Sequence, residues 1–267
     1  MGLRKKWNDS RMVVGTMESQ SDLKHEPTIA SRSIRVWEKT VLRCDCLFSN
    51  SESVQRSLER EYGIKSQVIP TGVDTKFFSP PGDRPPNRRP RVLFVGSLRP
   101  FKQPQFLLDA AARFPQADFR IAGDGPLASE LKSRTMRERL ANVTLLGSLG
   151  ADNLREEYRS ADVFLFPSSW EGSPKVILEA AACGLPAIVR NNYSPETVVH
   201  GVTGYQAASD NELYAFLAAL LANPGLRHEM GRKGRQHSQK FDWDLITAQW
   251  DAAFMRLVHR QSFSEAP

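Results

Sequence analysis

The sequence predicts an α/β fold built on a doubly wound parallel sheet, with a partial α/β domain in front of it. Three observations predict it. From Val92 onward, short apolar runs alternate with helical patterns. The first of these runs close on glycine or proline, as at Gly96, Gly123 and Pro167. A segment dense in proline and charge, Ser79 to Arg91, separates this long back part from a short front part. Strand and helix alternation of this kind implies parallel strands covered on both faces.

The elements follow in order. In the front part, Ser33 to Cys44 reads as a helix, Cys46 to Ser49 as a strand, Glu52 to Tyr62 as a helix and Gln67 to Ile69 as a strand. About 70 residues make only a marginal core, so residues 1–78 read as a partial domain and 79–91 as a linker. In the back part, strands are expected at Val92–Val95, Phe119–Ala122, Val143–Leu146, Val163–Phe166 and Pro186–Val189. Helices are expected at Pro104–Arg113, Pro126–Leu140, Asn153–Ala161 and Pro174–Cys183. Residues 92–242 form the main domain in this reading. The final stretch, 243–267, carries Ile246, Trp250, Phe254, Leu257 and Val258 at helical spacing, an apolar face that needs a neighbour.

Composition excludes several classes. The net charge of +6 comes mostly from scattered basic residues, with no zinc-finger or RNA-binding signature, so no nucleic-acid partner is expected. No apolar run approaches the ~20 residues that span a bilayer. The polar, basic start is neither a secretory leader nor a fit to the myristoylation pattern. Three cysteines, Cys44, Cys46 and Cys183, are too few for a disulfide framework or a four-cysteine zinc site. A cytoplasmic location is therefore expected, with the inner membrane face as an added contact.

Open parallel sheets bind ligands outside the carboxyl ends of their strands. Function is thus expected in the loops after Val95, Ala122, Phe166 and Val189. The strongest feature there is Glu171-Gly-Ser-Pro-Lys-Val-Ile-Leu-Glu179. Ser173 and Pro174 read as N-cap and first helical residue. Glu179 would lie about five residues, or roughly 7.5 Å, into an otherwise apolar helix, with its side chain tilted back toward the helix start. A buried carboxylate needs partners. Two readings stay open at this point: a structural ion pair with a buried cation, or a carboxylate that accepts hydrogen bonds from a ribose diol. Gly123-Asp124-Gly125-Pro126 is a strand-to-helix turn in which glycines permit close backbone approach. Gly96-Ser97-Leu98-Arg99 and Lys102 follow the first strand, where cations suit a diphosphate.

The order VIPTGVDTKFF, VGSLRPFK, IAGDGP, SADVFLFPSSWEGSPKVILEAAACGLPAIV, GVTGY resembles glycosyltransferase family 4, from about Leu42 to the C-terminus. The resemblance implies a GT-B fold in which residues 92–242 bind a nucleotide sugar. It implies a retaining transfer of a hexose to an acceptor hydroxyl on a glycan, lipid or small molecule, without a metal or other cofactor. Glu179 would hold the ribose and Glu171 the donor sugar. Gly172, Ser173, Pro174 and Lys175 would border the diphosphate, Lys102 would bind it, and Gly123 to Pro126 would line the cleft. Arg99 stands in for the family's arginine, because Ser97 occupies the position after Gly96. Tyr193-Ser194 replaces glycines common before Pro195-Glu196. The front part matches only the end of the family's N-terminal domain, and His25 lies in the wrong context for that domain's histidine. A second chain supplying the remainder, or a binding module without turnover, are the alternatives this leaves.

Overall fold

The computed structural model describes residues 12–13, 46–63, 65–82, 85–193 and 195–264. The expected helix at Ser33–Cys44, His25, Cys44 and Ser194 lie outside the described residues. Gly72–Trp243 form one compact unit, and the described residues of Met1–Thr71 and Asp244–Pro267 form another.

In the smaller unit, β1 (Met12–Val13), β2 (Cys46–Ser49) and β3 (Gln67–Val68) pair in parallel in that order. Helix α1 (Glu52–Tyr62) begins at Ser51, whose hydroxyl accepts from Val54 N, and ends at Gly63 in the left-handed region. These are the expected start and stop signals. The apolar face of the C-terminal helix packs within this unit. Ile246 and Ala253 are buried with Phe48 and Ile69, and the Phe48 and Trp250 rings lie 4.7 Å apart.

The larger unit is a single six-stranded parallel sheet. Its strands are β4 (Arg91–Val95), β5 (Asp118–Ala122), β6 (Val143–Gly147), β7 (Val163–Phe166), β8 (Ala187–Arg190) and β9 (Gly204–Ala207). They lie in the order β6-β5-β4-β7-β8-β9. The helices are α2 (Gln105–Arg113), α3 (Ala128–Arg137), α4 (Ala151–Ser160), α5 (Lys175–Ala182), α6 (Asp210–Ala222) and α7 (Pro224–Ser238). The final helix, α8, spans Trp243–Ser264. The continuous apolar runs of β4 and β7 are buried because helices cover both faces. Each large apolar side chain removed from water there contributes about 1.5–3 kcal/mol.

Three differences from the sequence reading have physical causes. Helix α3 starts at Ala128 rather than Pro126, because Leu127 N is held by Leu98 O at 3.0 Å. It ends before Leu140, where Arg139 takes a φ of 54°. Strand β9 and helices α6 and α7 have no counterpart among the expected elements. Strand β9 is four residues long and opens on a glycine, a weak local signal. Third, the Ser79–Arg91 segment is tied to the larger unit. Arg159 donates to Ser79 O, and Asn87 donates to Ser160 O and Asp162.

The glycine turn shows how the strand-end loops are built. Gly123 has a φ of 140°, and a Cβ placed there would lie 1.9 Å from Gly96 O. The loops after β4 and β5 are stitched by Gly96 N to Ala122 O at 3.0 Å and Leu98 N to Asp124 O at 2.9 Å. The close approach that Gly123 permits is thus to the chain's own backbone. Gly123→Ala is expected to cost about 3 kcal/mol or more, since it combines overpacking with a disfavoured φ. Gly150→Ala, at a position with open space around it, is expected to stay within about 1 kcal/mol. Urea denaturation of both variants checks this, and equal midpoints would contradict it.

Candidate active site

Strand order reverses between β4 and β7. In open parallel sheets the loops leaving the two strands at such a point diverge and leave room for a ligand. The loop after β4 makes a 3-10 turn, Pro100–Lys102, that carries Lys102. The loop after β7 runs through Ser168 and Glu171 to the start of α5. The structure brings these loops together. The Lys102 ammonium pairs with Glu171 Oε1, and both side chains are largely buried, 15% and 11% exposed. Ser168 Oγ donates to the same carboxylate oxygen at 2.6 Å. The ammonium also lies 5.2 Å from the ring centroid of Phe101 and 5.1 Å from that of Phe166. Cation–π attraction therefore adds to the ion pair in holding it. An ammonium carries three donors, so the pair with Glu171 leaves capacity for an anionic ligand.

Glu179 occupies the second carboxylate position. It is 4% exposed on α5. Tyr158 of α4, itself fully buried, donates its phenol proton to Glu179 Oε2 at 3.0 Å. Burial first, and then the neighbouring Glu179 charge, pushes the Tyr158 phenol well above the ordinary phenol range. It stays protonated and acts as a donor. Lys175 Nζ lies 3.3 Å from the other oxygen, at the helix start. Glu179 is therefore partnered by a buried phenol and a half-exposed lysine, rather than by the buried cation of the structural reading. Its Oε1 is the oxygen that faces Lys175, the first residue of the helix, in line with the tilt of the side chain.

Helix α5 begins differently from the expectation. Pro174 is the N-cap residue, with ψ 108°, and no side chain caps the helix, so Ser173 does not serve as the cap. Ile177 N turns back to Pro174 O at 3.1 Å. The first-turn amides of Lys175 and Val176 have no acceptor within their own helix, and they sit at the positive end of its dipole. Gly172 and Ser173 are half-buried beside them.

The other expected residues separate into two groups. Gly96 and Gly123 meet in the stitched loops, with Gly125 packed against Leu98. Ser97, Asp124 and Pro126 are exposed there, and the Asp124 carboxylate accepts from Gly125 N at 2.7 Å. Arg99 is exposed at the start of the 3-10 turn and forms no ion pair among the described residues. The structure does not draw it into the Lys102–Glu171 cluster.

Four participants escaped the sequence reading: Ser168, Tyr158, Gln103 and Arg190. Ser168 stands at the strand end in PSSW, which was the available signal. Arg190 closes β8 and crosses to both loops. Its Nε donates to Gln103 Oε1 at 3.0 Å and to Pro167 O at 2.9 Å. Its Nη2 donates to Gln103 Oε1 at 2.7 Å and pairs with Asp210. The described cysteines, Cys46 and Cys183, are in no disulfide with each other, and burial pushes the Cys183 thiol up to about 12. It is packing, not a nucleophile.

A doubly wound parallel sheet with a strand-order switch point places the chain in the α/β class whose ligand sites lie at the carboxyl ends of the strands. Residues 77–237 match the family model described as "Glycosyl transferases group 1". The chain belongs to that family. Among curated relatives, it is 32% identical over 247 residues to a D-inositol 3-phosphate glycosyltransferase of Kribbella flavida, covering 82% of this chain and 58% of the relative. It is 34% identical over 231 residues to the protein of that name from Acidothermus cellulolyticus, covering 76% and 51%. The chain thus spans little more than half the length of these relatives. Among solved structures, it shares its fold with sucrose-phosphate synthase from Thermosynechococcus elongatus, with TM-score 0.80, 24% identity, and coverage of 99% of this chain and 71% of that one. It shares it equally with HepE from Anabaena, solved with UDP-glucose, with TM-score 0.79, 21% identity, and coverage of 92% and 72%. Both likenesses accord with the GT-B fold that the sequence implies. Among the described residues, no helix is long and apolar enough to cross a membrane.

Tyr158→Phe removes the one uncharged side-chain donor to the Glu179 carboxylate among the described residues while keeping the ring. It is expected to lower stability by about 1–3 kcal/mol, because a buried carboxylate loses a hydrogen bond. A urea midpoint equal to that of the parent would show that Glu179 is hydrated instead.

Proposed function

We propose that the protein transfers a hexose from a nucleoside-diphosphate sugar to an acceptor hydroxyl with retention of configuration. The observation that carries this reading is the buried Lys102–Glu171 pair at the strand-order switch point, beside the uncapped start of α5. Family membership and the nucleotide-sugar ligand of a structural neighbour support it.

In this reading the diphosphate lies against the first-turn amides of Lys175 and Val176, flanked by Gly172, Ser173 and Pro174. Lys102 meets its oxygens with the donors that Glu171 leaves free. The bond from the anomeric carbon to the phosphate oxygen breaks, and its electron pair leaves with the diphosphate. The acceptor oxygen forms the new bond on the same face. Its proton passes to the departing phosphate oxygen, so no protein nucleophile is needed. Glu171 steadies the positive charge that develops at the sugar, and Glu179 takes the ribose hydroxyls with the oxygen that faces Lys175. Arg99, exposed at the start of the same turn, is proposed to serve the diphosphate as a secondary cation. Lys102 and the helix amides suffice to neutralise the leaving group, and the reaction is proposed to need no metal.

The names of the relatives suggest D-inositol 3-phosphate as the first acceptor to test. Titration with UDP-glucose, UDP-N-acetylglucosamine and GDP-mannose identifies the donor. The protein is proposed to work in the cytoplasm, near the inner membrane face where the acceptor is a lipid. A second chain completing the acceptor side remains the alternative arrangement, and the mass in solution with and without activity decides it.

Two substitutions test the chemistry. Lys102→Ala is expected to weaken UDP binding and to lower turnover about 10²-fold, the usual size for losing one preorganised donor to a developing anion. Glu171→Ala is expected to lower turnover while leaving UDP binding intact or tighter, since it frees the Lys102 charge. Calorimetric titration with UDP, and release of UDP from UDP-glucose, measure the two effects. Unchanged binding and turnover in both variants would sink the proposal.

A further inference from the structure

We propose that Arg190 is a positioning residue that sets the aim of Lys102 through Gln103, and that it governs how the site grips the terminal phosphate of a nucleoside diphosphate. This rests on the donor-site reading above and adds a residue to it. Arg190 is 13% exposed, and it spends its fork of donors mostly on neutral acceptors. Gln103 Oε1 receives two bonds, at 3.0 and 2.7 Å, and Pro167 O receives one at 2.9 Å. Its carboxylate partner among the described residues, Asp210, is 61% exposed, and such rim pairs contribute little. Cross-linking of loops, rather than charge pairing, is therefore what this buried guanidinium does.

The two loops it joins are the two that carry the central pair. Gln103 directly follows Lys102, and Pro167 directly precedes Ser168, the hydroxyl that holds Glu171. Gln103 is also the pivot of its loop. It sits in the left-handed region, with φ 50° and ψ 47°, and its N–H closes the 3-10 turn on Pro100 O at 3.0 Å. A residue other than glycine takes that conformation when its surroundings hold it. The double hydrogen bond from Arg190 supplies that hold. Without it, the turn loses its anchor on β8, and the Lys102 ammonium loses its fixed place over the crevice.

The test reads the ratio of UMP to UDP dissociation constants by calorimetry. That ratio isolates the terminal phosphate and cancels base, ribose and folding effects. Arg190→Met is expected to cut the discrimination in favour of UDP by about 3- to 10-fold, the size of a coupling between neighbouring groups. Lys102→Ala is expected to cut it further, and the double variant is expected to match Lys102→Ala alone. Gln103→Ala, which leaves Arg190 its Pro167 and Asp210 contacts, is expected to reproduce the Arg190→Met loss. It carries the test where Arg190→Met does not fold. An unchanged ratio in the folded variants, with or without a lower melting temperature, would overturn the inference, as would additive losses in the double variant. A parent protein that binds none of UDP, GDP and ADP would overturn the donor-site reading itself, and this inference with it.

Discussion

A parallel sheet buried on both faces sends the carboxyl ends of all its strands to one edge, and the rest of the site depends on where the strand order reverses along that edge. Between β4 and β7 the connecting chains turn to opposite sides. The backbone there is not used up in covering the sheet, and the two loops can face each other. Lys102 comes from one and Glu171 from the other. Neither residue would be a site alone, since a single buried charge is costly. Together they make a pair that the low-dielectric surroundings hold in place, with Ser168 and the rings of Phe101 and Phe166 closing around it.

Around that pair, several hydrogen bonds hold backbone. Loops after β4 and β5 are joined amide to carbonyl, and Gly123 is required because the two chains nearly touch. Loops after β4, β7 and β8 are joined through one guanidinium. Rigid loops suit a ligand whose charge lies in a diphosphate, since preorganised donors need no rearrangement when it binds. Helix α5 starts without a capping side chain, as α2, α3 and α4 do, but its start follows Glu171 in the same loop. That open end is the natural place for an anion.

The division between legible and illegible features follows the range of the interactions. Five of the six strands of the larger sheet, and its helices up to α5, could be read because their apolar periodicity is local. Strand β9 could not, since its pairing with β8 is what makes it a strand. At the site, the residue types and their loops were readable, including Glu171, Glu179, Lys102 and the glycine turn. Tyr158 and Arg190 were not, because each acts across a long span of chain on a partner that no local pattern announces.

The sequence by itself determined the alternation of strands and helices, the loops that carry charge, and the one acidic residue buried in an apolar helix. It did so because burial and periodicity are written into neighbouring residues. Only the tertiary structure decided the partners. Lys102 and Glu171 are 69 residues apart, and Gln103 and Arg190 are 87 apart. Strand order brings each pair together, and strand order is a property of how the whole sheet buries its faces. The same cause makes Gly123 a place where two loops of one chain meet.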